Sequence, residues 1–172
     1  MSKLQLKKEL QKLTKEQLIE QIAELYVTYK PVKKYYQTFM NPDNMQELFE
    51  KYKAIIVNKF NPKNISRNMR TCFPTAKKAI ADFGALKPPP KLLADLMMTL
   101  AEKACNLSDT YGDMPESHYS NTENIFERTL KYLSKEGLLD GFKVRCKKCL
   151  QEAKHCGGGY YDSMSSIFND YY

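Results

Sequence analysis

The sequence predicts an all-α fold of about six to eight helices, arranged in antiparallel pairs as a bundle or a short α–α superhelix. Two observations support this prediction. Apolar residues recur about every three to four positions along most of the 172-residue chain, as they do on one face of an amphipathic helix. No stretch shows the roughly four to eight alternating β-branched residues that are typical of a strand.

The first 75 residues predict two strong helices followed by a loop. Thr14 and Gln17 have the spacing of a capping box, and the apolar face behind it consists of Leu18, Ile19, Ile22, Leu25, Tyr26 and Tyr29. Pro31 is expected to interrupt this helix, because proline lacks an amide hydrogen. Asp43 is expected to cap the next helix, whose face is Met45, Leu48, Phe49, Tyr52, Ile55, Ile56 and Phe60. Residues 61–74 lack periodicity and are predicted to form a loop.

The remaining helices are separated by glycine and proline. A short helix over 76–83 ends at Gly84 and the 87–90 proline break, and the longest pattern then runs to Gly112. Residues 113–119 are predicted to form a loop, and Ser120 and Glu123 have the spacing of a second capping box. Two further helices are predicted, one from the Ser120 cap to Gly137 and one over 139–153, and a closing helix follows the glycines at 157–159.

The length predicts a single domain over residues 1–172, with a division into sub-bundles 1–60 and 75–172 joined by the irregular loop 61–74. The longest nearly apolar run, over 92–101, is about half of what a membrane span needs, so no membrane partner is expected. The five cysteines are an odd number, and no apolar signal core precedes them. Reduced thiols in a cytoplasm are therefore expected.

A Cys-x-x-Cys pair at Cys146 and Cys149, followed by His155 and Cys156, has the residue types of a zinc site. On one continuous helix, however, His155 would lie roughly on the face opposite to Cys146, and Cys156 would lie about 10 Å from Cys149. Free cysteine is also among the most buried residue types. We therefore predict core cysteines, with no metal ion and no cofactor.

The polar segment 113–118 is the best candidate for catalysis. Asp109, Asp113, Glu116 and His118 could surround a cation or pair a carboxylate with an imidazole for acid–base chemistry. The same residue types also satisfy backbone amides in a turn between helices. The sequence favours the turn and predicts no catalytic residue, but it leaves open whether Asp95 and Arg145 converge with this segment.

The excess of positive over negative charge lies entirely in the first half of the chain. Residues 1–86 carry a net charge of +8, and residues 87–172 carry −1. Residues 51–81 contain no acid, and their cations include Lys59, Lys63, Arg67, Arg70, Lys77 and Lys78. Such a segment could follow a phosphate backbone, so binding of nucleic acid or another polyanion is the alternative function.

A protein–protein interaction module is the leading functional prediction, because paired helices expose grooves that accept a partner helix or peptide. The contact residues that we predict are the paired tyrosines near the C-terminus, Tyr160, Tyr161, Tyr171 and Tyr172, since tyrosine is enriched at interfaces. The competing interpretation is that these tyrosines cap the core of their own domain.

Five segments together suggest a family. They are Phe60-Asn61-Pro62, 76–80 with Phe83, 93–97, Tyr111-Gly112-Asp113, and Phe168 ahead of Tyr171-Tyr172. With these segments the chain resembles a family of small bacterial proteins of about the same length, known only as a domain of unknown function, and the resemblance covers nearly the whole chain. It implies a helical stand-alone domain in a bacterial cytoplasm, and it implies no activity.

Overall fold

The computed structural model describes residues 1–40, 42–61, 63, 70–112 and 114–172, with residues 38, 39, 42 and 43 described by their backbone alone. Nine helices and no strand occur in these residues, which confirms the all-α prediction. The helices are α1 (Lys3–Leu10), α2 (Lys15–Thr28), α3 (Lys30–Met40), α4 (Pro42–Lys59), α5 (Cys72–Gly84), α6 (Pro90–Tyr111), α7 (Glu116–Lys135), α8 (Leu139–Ala153) and α9 (Tyr160–Asn169).

The chain divides into two compact units, Met1–Met45 and Gln46–Tyr172. We call them the N-terminal unit and the C-terminal unit. Their boundary falls inside α4, whereas the sequence suggested a division at 61–74. Most of that segment lies outside the described residues, and the single-domain organisation stays a prediction.

The N-terminal helices show how local chemistry sets helix ends. The capping box predicted at Thr14 is present: the Thr14 hydroxyl accepts from the Gln17 amide at 3.2 Å, and the Gln17 side chain accepts from the Thr14 amide at 2.9 Å. Tyr29 is extended and separates α2 from α3. Pro31 does not prevent a helix here, because it lies in the first turn of α3, where an amide hydrogen has no helical partner.

Three predicted helix starts are wrong. Helix α4 begins at Pro42, so Asp43 lies in its first turn rather than at its N-cap. Helix α5 begins at Cys72, so residues 72–74 are helical rather than loop, with Pro74 tolerated in the first turn. Helix α7 begins at Glu116, so Ser120 lies inside it and caps nothing. The Thr122 hydroxyl is buried and donates to the His118 carbonyl at 2.8 Å, a bond that places Thr122 in the second turn of the helix.

The C-terminal unit is organised around α6. Helices α7 and α8 pack extensively on α6, α5 also contacts it, and α9 packs on α7 and α8. The alanines of α6 are fully buried and allow its neighbours to approach closely. Large buried side chains fill the core, including Phe83, Leu96, Leu100, Phe126, Leu130 and Met164.

Gly112 ends α6 with a φ of 73°, as expected for a glycine that closes a helix. Within the described ranges, no helix combines the length and apolar character needed to cross a bilayer.

Candidate functional site

An open apolar groove runs between α2 and α3 in the N-terminal unit. Its cavity has a volume of about 590 Å³ and is lined mainly by Ile19, Ile22, Ala23, Tyr26, Tyr36 and Met40. The two helices pack on each other, yet no residue of α1 or α2 is buried. Ile19 is 55% exposed and Met40 is 69% exposed. The face that the sequence predicted as the buried side of a helix is therefore largely open in this unit.

The rim of this groove carries both signs of charge. Helix α2 holds Glu16, Glu20 and Glu24, spaced by four residues and therefore aligned in one stripe. Glu16 precedes Ala23 by seven residues, so this stripe borders the groove. Helix α3 holds three lysines and no acid, and the ammonium of Lys33 lies 5.8 Å from the centre of the Tyr26 ring. An acidic edge on α2 thus accompanies a basic edge on α3.

The C-terminal tyrosines largely serve their own unit. Tyr160 is only 3% exposed, and its ring centre lies 4.7 Å from that of Tyr119. Tyr172 stacks on Phe168 and donates a hydrogen bond of 2.6 Å to the Leu139 carbonyl. Tyr161 and Tyr171 are half-buried. The packing of Tyr160 and Tyr172 agrees with the competing interpretation, in which these rings cover the core of their own domain.

The cysteines are all free and buried, as predicted for Cys146 and Cys149. Burial raises the pKa of Cys146 to about 11, and the interaction with Cys105, together with burial, raises the pKa of Cys149. The Cys105 sulfur lies 3.6 Å from the Tyr160 hydroxyl. Thiols with raised pKa values are poor nucleophiles near neutral pH. The described part of the chain contains no group of three or more potential metal ligands.

Arg145 of α8 bridges two carboxylates of α6. Its guanidinium donates to both oxygens of Glu102, each at 2.7 Å, and to Asp95 at 2.6 Å. Burial acts to lower the pKa of Arg145, but these hydrogen bonds raise it above its usual range. Asp95 and Arg145 are therefore in contact with each other. The sequence analysis left open whether they also converge with segment 113–118. The bridge holds α8 on α6, and the N–H groups of the guanidinium that form it are engaged in this contact between the two helices.

His118 lies elsewhere, in the first turns of α7 rather than in a loop. Its Nε2 is 3.1 Å from the Ala104 carbonyl and 3.0 Å from the Ser108 hydroxyl. Ala104 and Ser108 lie on a face of α6 different from that of Asp95 and Glu102, at about 100° of rotation per residue, so His118 does not join the Arg145 bridge. Asp113 lies outside the described residues, so the pairing of Asp113 with His118, which the sequence offered as the less favoured alternative to a turn, stays untested.

One acid–base pair was not found by the sequence analysis. His155 Nδ1 lies 2.6 Å from Asp109 Oδ1, across 46 residues of sequence. His155 also lines a cavity of about 650 Å³ together with Glu116, Tyr119, Glu123 and the glycines at 157 and 158. No local sequence pattern predicts this pair, because its two residues come together only where the C-terminal ends of α6 and α8 meet. The His155 side chain is 74% exposed, so the contact is a surface ion pair when His155 is protonated.

The residues predicted to bind a polyanion have different surroundings. Lys59 ends α4 and is half-buried, Lys63 is exposed, and Arg67 lies outside the described residues. Lys78 forms an ion pair of 2.6 Å with Asp82 on its own helix. Arg70 and Lys77, in contrast, line the same cleft between α5 and α7. These two are the members of the set that the structure brings to one site.

Comparison with known proteins gives one match. The model of a family described as "Family of unknown function (DUF6155)" matches residues 1–169 of the chain. No curated protein matches, and no solved structure matches. The match spans both units and every helix described above.

Proposed function

We propose that this chain, which belongs to the family of unknown function DUF6155, is a protein–protein interaction module that self-associates through its N-terminal unit. The observation that carries the proposal is the open groove between α2 and α3. The setting proposed with it is a bacterial cytoplasm, which rests on the sequence resemblance alone.

The lack of a core in the N-terminal unit argues for a partner. Small units bury only a modest share of their surface, and a domain of about 60 residues is already marginally stable on its own. The N-terminal unit has 45 residues, and two of its helices bury nothing. An amphipathic helix gains its stability by packing its apolar face on another element. A partner that covers Ile19, Ile22 and Met40 supplies that packing.

Charge complementarity supports a second copy of the chain as the partner. In a two-fold symmetric interface, each contact occurs twice with the roles exchanged. When α2 of one copy faces α3 of the other, Glu16 and Glu20 meet Lys30, Lys33 and Lys34 in both halves of the interface. The two helical pairs then form a four-helix arrangement around the apolar groove. Opposite charges at the rim favour this pairing over one that places α2 against α2.

Ile22→Asp is expected to convert a dimer into a monomer. The substitution places a carboxylate in the apolar groove, where it loses hydration without gaining a partner. We expect the dimer Kd to rise at least about 100-fold, which corresponds to about 2.8 kcal/mol. Light scattering coupled to size exclusion reads the mass directly, since one chain is 20.0 kDa.

Val27→Asp is the matched control, because Val27 is on the same helix, is 82% exposed and does not line the groove. It should dimerise as the wild type does. The rim is tested by charge reversal: Lys33→Glu should weaken the dimer, and adding Glu20→Lys should restore it. A wild-type chain that is monomeric at about 100 μM, or equal effects of Ile22→Asp and Val27→Asp, would contradict the proposal.

The alternative function is polyanion binding through residues 51–81, which the shared location of Arg70 and Lys77 supports. If all six predicted cations contact phosphates, the slope of log affinity against log salt should be about −4 to −5, from roughly 0.7 to 0.9 per contact. Fluorescence anisotropy with labelled single- and double-stranded oligonucleotides measures this slope. No binding at tens of micromolar protein in about 50 mM salt would exclude this function.

A further inference from the structure

The cleft between α5 and α7 has the size and lining of a small-molecule site. Its cavity has a volume of about 550 Å³, within the range of roughly 300–1,000 Å³ that is usual for such sites. Phe73 and two prolines provide apolar walls. The polar lining consists of Arg70, Lys77, Ser117, His118 and Asn121.

The described residues that line this cleft include two cations, Arg70 and Lys77, and no carboxylate. The ammonium of Lys77 donates to the neutral side chain of Asn121 at 2.6 Å. Burial and the nearby charge of Arg128 lower the pKa of Lys77. Among the residues that the structure describes, no carboxylate forms an ion pair with Lys77 or Arg70. The first turn of α7 has no side-chain cap, and the partial positive charge of its N-terminus is offset in part by the carboxylate of Glu116 in the same turn.

A buried nitrogen without a partner lies in the lining of the same cleft. The His118 side chain is nearly inaccessible to solvent, with 3% of the residue exposed. Its Nε2 contacts the Ala104 carbonyl, which can only accept, so Nε2 carries the proton. Burial lowers the pKa of His118 and keeps the ring neutral. Its Nδ1 is therefore an unprotonated acceptor, and it has no hydrogen-bond partner among the described residues.

We propose that this cleft binds the phosphate group of a small phosphomonoester. Lys77 and Arg70 contact the phosphate oxygens, and the Nδ1 of His118 accepts a hydrogen bond from the hydroxyl of the phosphate monoanion. Such a ligand supplies both features that the cleft requires, a negative charge and one hydrogen-bond donor. Its second pKa is about 6, so the monoanion is available near neutral pH. Phe73 and the prolines contact the organic group of the ester.

Calorimetric titration of the full-length chain with phenyl phosphate and with inorganic phosphate tests this site. Phenyl phosphate should bind more tightly, because its ring contacts the apolar walls. Lys77→Met should weaken its binding at least about tenfold, since it removes a charge-assisted hydrogen bond but keeps an apolar stem. Lys78→Met is the matched control: Lys78 is the adjacent residue, is exposed and is paired with Asp82. It should bind phenyl phosphate as the wild type does.

The imidazole nitrogens provide a second readout. Nitrogen-15 NMR should show the Nδ1 resonance of His118 shifting when phenyl phosphate is added, and Lys77→Met should reduce that shift at equal ligand concentration. The proposal fails if neither phosphate compound binds at about 10 mM, which is weaker than most specific binding. It also fails if inorganic phosphate binds as tightly as phenyl phosphate, which would indicate a simple ion site. Equal losses in Lys77→Met and Lys78→Met would indicate only general attraction between charges.

Discussion

Phe83→Ala is expected to lower the free energy of unfolding by about 3–5 kcal/mol. Phe83 is fully buried near the end of α5, and its ring centre lies 5.5 Å from that of Tyr52 and 6.2 Å from that of Phe49, both on α4. Alanine removes this ring from the contact between the two helices and leaves a cavity that the close-packed surroundings fill only partly. Urea denaturation followed by circular dichroism measures the loss.

A graded series separates packing from a general failure to fold. Phe83→Leu keeps most of the apolar volume and should cost about 1–2 kcal/mol. Val144→Ala removes apolar atoms from a side chain that is 81% exposed, and it should change stability by less than about 0.5 kcal/mol. If Phe83→Ala costs no more than Val144→Ala, Phe83 does not hold α5 on α4 as described.

Helices were predictable from the sequence where the signal was local or strongly periodic. Thr14 and Gln17 satisfy each other's backbone amides within one turn, so their spacing alone identifies the cap. Ser120 and Glu123 have the same spacing but lie inside a longer helix, because residues 116–122 continue the packing of α7 on α6. A capping pattern does not reveal whether the residues before it also pack on a neighbouring helix, and such packing makes them part of the same helix. Pro31 interrupts the first pattern as predicted, since α2 ends at Thr28, but α3 begins directly afterwards because proline is tolerated in a first turn.

The candidate sites were only partly predictable, because each one joins segments that are distant in the sequence. Composition singled out Arg70 and Lys77 as cations in an acid-free segment. It could not place them beside His118, which requires α5 to lie next to the first turns of α7. Ile19 and Ile22 were identified as one helix face, but periodicity does not tell whether such a face is covered by the same chain. Their exposure, which bears on the proposed function, is visible only in three dimensions.

Arg145→Met is expected to lower the free energy of unfolding by about 2–3 kcal/mol. Exposed ion pairs contribute at most about 1 kcal/mol, whereas breaking a fully buried pair costs about 3–5 kcal/mol. The Arg145 bridge lies between these limits, because its three side chains are 26–31% exposed and the guanidinium binds Glu102 through two parallel hydrogen bonds. Methionine keeps the packing volume of the stem but leaves two half-buried carboxylates without their cation. Urea denaturation again measures the change.

Lys147→Met is the matched control for the loss of a cation from α8. Lys147 lies two residues after Arg145 on the same helix and is exposed, so we expect a change below about 0.5 kcal/mol. Arg145→Lys should recover part of the stability, since lysine keeps the charge but cannot form the paired bonds to Glu102. Adding Asp95→Asn and Glu102→Gln to Arg145→Met should recover more than half of the loss, because the unpaired charges are then removed. If the triple variant is no more stable than Arg145→Met, the cost comes from lost packing of the arginine stem, and the charge network does not fasten α8 to α6.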